Sequence, residues 1–277
     1  SSLSAVSSLS AVSSLSAVSS LSAVSSLSAL AVIAPSRGGS GRIGSYTTAR
    51  VSGGRVERVE RHVARLRRDA ARLGLPAPGR LEIEALLLET AEQAFGRGDG
   101  IVRIEWSCEL GAAPGLVATH RALGDDSKRW RARVSKITHP GPEERHNTKS
   151  IDVDAFDRAR EAAWTQGVDE LLLFDADGLL VEGCRSNLLL IDDAGILLTP
   201  DLSLGAVEGL GLSLVRESQP ELREVKLSLE GVRAARELMA VNVVRGVVPI
   251  VELDGKPVSG GEPGAWAQRL RRLFSRN

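Results

Sequence analysis

The chain has 277 residues, 43% hydrophobic and 25% charged, with 35 Lys and Arg balanced by 35 Asp and Glu. That is enough for one large domain or two small packed ones, and the neutral balance argues against nucleic acid or an anionic membrane surface as a partner. No run approaches the ~18 apolar residues of a membrane span, and Cys108 and Cys184 are too few for a disulfide framework or metal cluster, so a cytoplasmic setting is expected.

Residues 1–30 are a perfect hexad, SSLSAV four times and then SSLSAL. Half of it is serine, and Leu and Val at every third position fit neither helix nor strand periodicity, so a low-complexity, disordered segment or tether is expected. The globule is expected from about Leu30. YTTARV (46–51) reads as a short strand and SGG (52–54) as a turn. Val56, Val59, Val63, Leu66, Ala70 and Leu73 recur at steps of three and four, the stripe of an amphipathic helix that Gly74 and Pro76 stop. RLEIEALLLETAEQAF (80–95) predicts a second helix, and IVRIEWSCEL (101–110) and RWRARVSKI (129–137) predict strands.

PGPEERHNTKS (140–150) is rich in proline, glycine and charge and reads as an interdomain connection. The helix VDAFDRAREAAWTQG ends at Gly167. ELLLFD and LLVEGC then face each other across DADG, and NLLLIDDAGILLTP predicts another hairpin. The expectation is α+β: an N-terminal domain over 31–140, a connection over 141–148 and a C-terminal domain over 149–277.

Four features could carry chemistry. Lys149 ends the connection just before a helix; a lysine that forms an imine must sit in a pocket and be partly desolvated. Glu182 interrupts an apolar strand, where an unpartnered carboxylate is costly. Arg65 flanks the apolar stripe of the first helix, and its planar fork suits a phosphate. LSLGAVEGLGLS (202–213) is a glycine-rich entry to a helix, whose exposed backbone N–H groups also suit phosphate. Singly, each also fits an ordinary surface lysine, a strand end, a helix-surface arginine and a common loop.

Taken together, these pieces resemble the class IV aminotransferase family, the fold-type IV enzymes that use pyridoxal phosphate. SRGGSGRIGSYTTARVSGG (36–54) is similar to the family's opening, and HVARLRRDAARLGLP (62–76) to its H-xx-RL-xx-SA-xx-LG segment. HNTKS (146–150), EGCRSNLLLID (182–192), LLTP, VEGL and NVVRGVVPI (242–250) follow in the family's order, and LDGKPVSGGEPGAWAQRL (253–270) resembles its tail.

The resemblance implies a two-domain α+β fold like that of D-amino acid aminotransferases, and a homodimer acting on a small amino-acid-type substrate. It makes Lys149 the lysine that binds the cofactor as an imine and then shuttles the α-proton. Glu182 becomes the partner of the pyridine nitrogen, Arg65 the phosphate arginine, and Asn187, Leu210, Gly211, Asn242 and Val243 further cofactor contacts, largely through backbone amides.

Departures accompany it. Gly211 and Leu212 stand where the family's threonine and arginine are expected, Val153 lies near a tyrosine of branched-chain enzymes, and Arg42 and Ile43 replace Gly-Asp. YTTARV, EGCRSNLLL and Asn242 before a VVRGVVPI strand most resemble aminodeoxychorismate lyases, which convert 4-amino-4-deoxychorismate to 4-aminobenzoate and pyruvate. An amino acid transaminase of D-amino acid or branched-chain type stays open beside it, as does a degenerate member that serves as a partner or scaffold.

Overall fold

A computed structural model describes residues 41–124, 128–145, 147–151 and 153–274. The hexad repeat, and the expected start of the globule near Leu30, lie outside these residues.

The first sheet is antiparallel. β1 (Arg42–Ser52) turns through Gly53 and Gly54, both with positive φ, into β2 (Arg55–Val56). Two helices follow, α1 (Val59–Arg72) and α2 (Arg80–Phe95), then β3 (Gly100–Glu109) and β4 (Gly115–Arg121), giving the strand order β2-β1-β3-β4. Leu66 of α1 and Ile83 and Leu87 of α2 are wholly buried against Ala49, Val102 and Ile104 of the sheet. Each such aliphatic side chain contributes about 1.5–3 kcal/mol.

Two expectations are corrected here, and one strand was not foreseen. YTTARV is the end of an eleven-residue strand, because β1 stays paired with β3 from Arg42 opposite Glu109 to Val51 opposite Gly100. Arg42 and Ile43 therefore belong to the strand rather than preceding it. β4 went unread, since its mostly exposed side chains give no apolar alternation.

The second sheet has nine strands. β5 (Trp130–Val134) precedes the short α3 (Pro142–Arg145) and α4 (Asp154–Thr165), which leads into β6 (Glu170–Phe174), β7 (Leu180–Gly183), β8 (Asn187–Ile191) and β9 (Leu197–Pro200). α5 (Leu210–Ser218), β10 (Arg223–Val225), α6 (Leu229–Arg233), β11 (Glu237–Asn242), β12 (Gly246–Leu253), β13 (Lys256–Pro257) and α7 (Ala265–Arg271) complete it.

The order is β10-β9-β8-β11-β12-β5-β6-β7, with β13 beside β12. Leu188 and Leu190 pack on one face with Leu238 and Ile250. Leu189 and Ile191 pack on the other with Met239, Leu212 and Val215 of α5, and Ala267 and Leu270 of α7. Strand side chains alternate between faces, so a strand covered on both sides is apolar throughout, as NLLLI is.

Both expected hairpins, β6–β7 and β8–β9, form. RWRARVSKI yields only the five-residue β5, which pairs with β12 and β6 of this second sheet. The change of sheet thus precedes residue 130, earlier than the expected connection. VVRGVVPI is not one strand: Asn242 closes β11, Val243–Arg245 turn, and Gly246 opens β12 with φ +72.

Candidate active site

The two sheets meet around a cavity of about 790 Å³, and all eight residues expected at the site line it: Arg65, Lys149, Glu182, Asn187, Leu210, Gly211, Asn242 and Val243. They come from six different stretches of chain, so their meeting is a product of the tertiary fold.

Lys149 sits where the connection returns to the first sheet. Ser150 bridges to Ser45, the Lys149 carbonyl accepts from the Tyr46 N–H at 2.9 Å, and the Ile151 N–H donates to the Gly44 carbonyl at 3.0 Å. The Lys149 N–H donates to Asp69 Oδ2 at 3.1 Å. Asn147, with φ +55, donates its side-chain amide to the carbonyls of Leu202 (2.6 Å) and Ala206 (3.1 Å) and so laces this segment to the glycine-rich loop. The half-buried lysine carries its Nζ 4.7 Å from the centroid of the Tyr46 ring, which also has the Arg103 guanidinium at 3.7 Å.

Glu182 is 3% exposed on β7. Its Oε1 accepts from the Val207 N–H at 3.2 Å and lies 3.2 Å from His139 Nε2. The Gly141 N–H donates to His139 Nδ1 at 3.0 Å, so Nδ1 is the acceptor nitrogen and the Nε2–H donates to Glu182. The carboxylate is thus held by two donors.

Arg65, 3% exposed on α1, donates from Nη2 to the Glu208 carbonyl at 2.6 Å. Its Nε is buried and has no hydrogen-bond partner among the described residues. Burial lowers its pKa to about 10, with Asp69 opposing the shift. Beside it Glu208 is gripped by Arg72 at 3.1 Å and Arg68 at 3.5 Å, and the chain enters α5 at Leu210 and Gly211 with no side chain capping the helix start. The first-turn N–H groups of α5 therefore stay available to an anion.

Gly211 packs directly on the turn after β11: a Cβ there would lie 2.8 Å from the Asn242 carbonyl carbon and 2.9 Å from its Cα. Asn242 Oδ1 accepts from the N–H groups of Val244 (3.1 Å) and Arg245 (2.8 Å), which shapes that turn. Asn187 donates to the Val207 carbonyl at 2.8 Å, and its side chain occupies the space that a Cβ at Gly209 would need. Leu212 points into the core of the second sheet, so the departure from the family's arginine is absorbed by packing.

The sequence reading missed Asp69, His139 and Asn147. Asp69 had a signal: in HVARLRRDAARLGLP it stands at the serine of the RL-xx-SA pattern, a carboxylate on the buried stripe of a helix. Asn147 lies inside the HNTKS motif but its partner was not readable, and His139 had no signal, because their partners lie 55 and 43 residues away.

A lysine, a doubly held buried carboxylate and a phosphate-sized set of donors in one cavity define the kind of site that holds an aldehyde cofactor bearing a phosphate. The chain matches the amino-transferase class IV family over residues 44–253, and it belongs to that family, whose enzymes use pyridoxal phosphate. It is similar to the branched-chain-amino-acid aminotransferase of Pseudomonas aeruginosa, 28% identical over 119 residues, which is 42% of this chain and 38% of that enzyme. The matched stretch thus spans well under half of that relative's length. Among solved structures, the branched-chain aminotransferase of Thermoproteus uzoniensis superposes with a TM-score of 0.74 at 23% identity, covering 84% of each chain. A Legionella pneumophila protein provisionally assigned as a 4-amino-4-deoxychorismate lyase does so at 0.72 with 20% identity, covering 83% of this chain and 90% of that one. At these identities the superpositions establish the fold: fold-type IV, α+β.

Proposed function

We propose that the protein is a pyridoxal-phosphate-dependent lyase that converts 4-amino-4-deoxychorismate to 4-aminobenzoate and pyruvate. The observation that carries the cofactor reading is the unpartnered Nε of buried Arg65, in the same cavity as Lys149 and Glu182. A buried guanidinium nitrogen left without an acceptor is costly, and a phosphate oxygen satisfies it. Arg65, the N–H groups of Leu210 and Gly211 and the turn at Asn242 and Val243 would hold the phosphate, Asn187 would support that wall, and Lys149 would bind the aldehyde.

When bound, pyridoxal phosphate supplies an electron sink for a carbanion at the substrate's α-carbon. The chain's residues do the rest. Glu182, held by His139 and the Val207 N–H, keeps a proton on the ring nitrogen, and that positive charge offsets the cost of burying the carboxylate. Lys149 takes the proton from the α-carbon and is the group placed to return it to the departing pyruvate. Residues of both sheets wall the cavity in which the substrate's ring would become aromatic.

The lyase is favoured by the YTTARV, EGCRSNLLL and Asn242 motifs, and by a polar wall. Arg103, Arg121 and Arg160 line the cavity beside apolar residues such as Ile151, Val153 and Phe156, so it offers several cations to an anionic substrate. The relatives' names favour the second reading, a transaminase, which uses the same proton removal and differs in where the proton returns. A cytoplasmic homodimer acting on a small amino-acid-type substrate completes the proposal. The test is an assay of the holoenzyme for 4-aminobenzoate and pyruvate, beside keto-acid-dependent amino transfer from D- and branched-chain amino acids. Equimolar 4-aminobenzoate and pyruvate support the lyase, whereas amino transfer without either product supports the transaminase. A protein that retains no cofactor points to the non-catalytic partner or scaffold.

A further inference from the structure

We propose that Arg121, Arg185 and Arg245 form an anion subsite that holds a carboxylate of the substrate, selecting dicarboxylic over aliphatic amino acids. The inference deepens the cofactor-dependent reading above and rests on it for the identity of the substrate. The three arginines come from separate elements: the end of β4, the turn between β7 and β8, and the turn between β11 and β12. All three line the cavity that contains Lys149.

Two of them are fixed in place by the fold. Arg245 donates from Nη2 to the Leu123 carbonyl at 2.5 Å and from Nη1 to the Gly124 carbonyl at 3.5 Å, which ties the turn of the second sheet to the chain leaving β4. Asn242 Nδ2 reaches the Arg185 carbonyl at 3.5 Å, joining the turns that carry Arg185 and Arg245.

Each acid of the cavity has a partner outside the three arginines. Asp157 pairs with Arg160, Glu182 with His139, and Asp169 accepts the Arg131 N–H at 2.8 Å. Glu170 and Asp169 offset part of the charge of Arg185. Arg121 has no such relief: burial and the charges of Arg245 and Arg185 all push its pKa down. Like charges gathered in a partly desolvated wall repel, and a bound carboxylate removes that repulsion while matching the guanidinium fork. The phosphate cradle proposed above is built from other residues of the same cavity.

The test is calorimetric titration of the protein with succinate and with butyrate at fixed ionic strength, with and without added pyridoxal phosphate. Succinate is expected to bind at least about tenfold more tightly than butyrate. Arg121→Ala and Arg185→Ala are expected to abolish that preference while butyrate and pyridoxal phosphate bind as before. Arg121→Lys, which keeps the charge and checks folding, is expected to retain part of it. Equal affinities in the wild type, or alanine variants that lose pyridoxal phosphate yet keep the succinate preference, would overturn the subsite. A succinate preference without 4-aminobenzoate formation supports the subsite and removes only the lyase assignment.

Discussion

Asp69 holds the backbone of Lys149. Its carboxylate, 0% exposed on α1, accepts the Lys149 N–H at Oδ2 (3.1 Å) and the Arg68 Nε–H at Oδ1 (3.1 Å), and its charge opposes the burial of Arg65. One helix residue thus joins Lys149 to Arg65. Asp69→Ala removes the carboxylate that accepts the Lys149 N–H and is expected to cost about 1–3 kcal/mol. A positioning role further requires that affinity for pyridoxal phosphate fall about tenfold or more, with Asp69→Ser recovering part of it. Spectrophotometric cofactor titration beside thermal denaturation separates the two: a stability loss with unchanged cofactor affinity makes Asp69 merely structural.

Gly211 stands where the family pattern expects threonine, yet a threonine cannot simply be restored. Its Cβ would meet the Asn242 backbone at 2.8 Å, and backbone cannot give way as a flexible side chain does. Gly211→Thr is therefore expected to lose about 1–3 kcal/mol of stability through overpacking. Its cofactor affinity is expected to fall rather than rise, because the displaced turn is part of the proposed cradle. Chemical denaturation and cofactor titration of this variant check both statements, and a tighter-binding, equally stable variant would contradict them.

Acid stability is expected to carry the signature of one buried histidine, His62. His62 bonds to Thr47 Oγ1 at 2.7 Å, and burial, with the charges of Arg65 and Arg58, lowers its pKa from 6.5 to about 3. Between those values the unfolded chain binds a proton that the folded chain refuses. Stability from this group is therefore full above pH 6.5 and lost progressively as pH falls towards 3. His62→Gln is expected to flatten the acid limb of a stability–pH curve over that window, measured by denaturation at successive pH values. An unchanged slope would mean the ring is not buried neutral.

His139 sits behind Glu182 and has the tautomer to donate to it. His139→Leu removes a donor to Glu182 Oε1 and is expected to reduce turnover about tenfold or more, with a shift in the visible band of the bound cofactor. His139→Gln, which can still donate, is expected to fall between. Turnover and absorption maximum are read on the same preparations. Loss of turnover with an unmoved band would detach His139 from the ring nitrogen.

Local pattern carried a good deal of this molecule. α1 was legible from its three-and-four stripe and its Gly74 stop, α2 from its uninterrupted helix formers, and the two hairpins from turn residues between apolar runs. β4 was not, because an outer strand with most side chains in solvent has no alternation to read. The place of β5 in the second sheet, and the turn at Val243–Arg245, depend on pairing partners distant in sequence. In the cavity, Lys149, Glu182 and Arg65 were visible because each is odd for its place or falls in a motif order. Asp69, His139 and Asn147 act through single hydrogen bonds to remote backbone or side chains, and no spacing announces that.

The central claim is that Lys149 binds pyridoxal phosphate in this cavity. The measurement is the visible spectrum of protein purified with pyridoxal phosphate and freed of excess, before and after borohydride, with Lys149→Ala beside it. A yellow protein whose band is fixed by reduction onto the peptide bearing Lys149, and which is absent from the variant, is the expected result. A colourless wild type, or a band that survives Lys149→Ala and is trapped on another lysine, would contradict it.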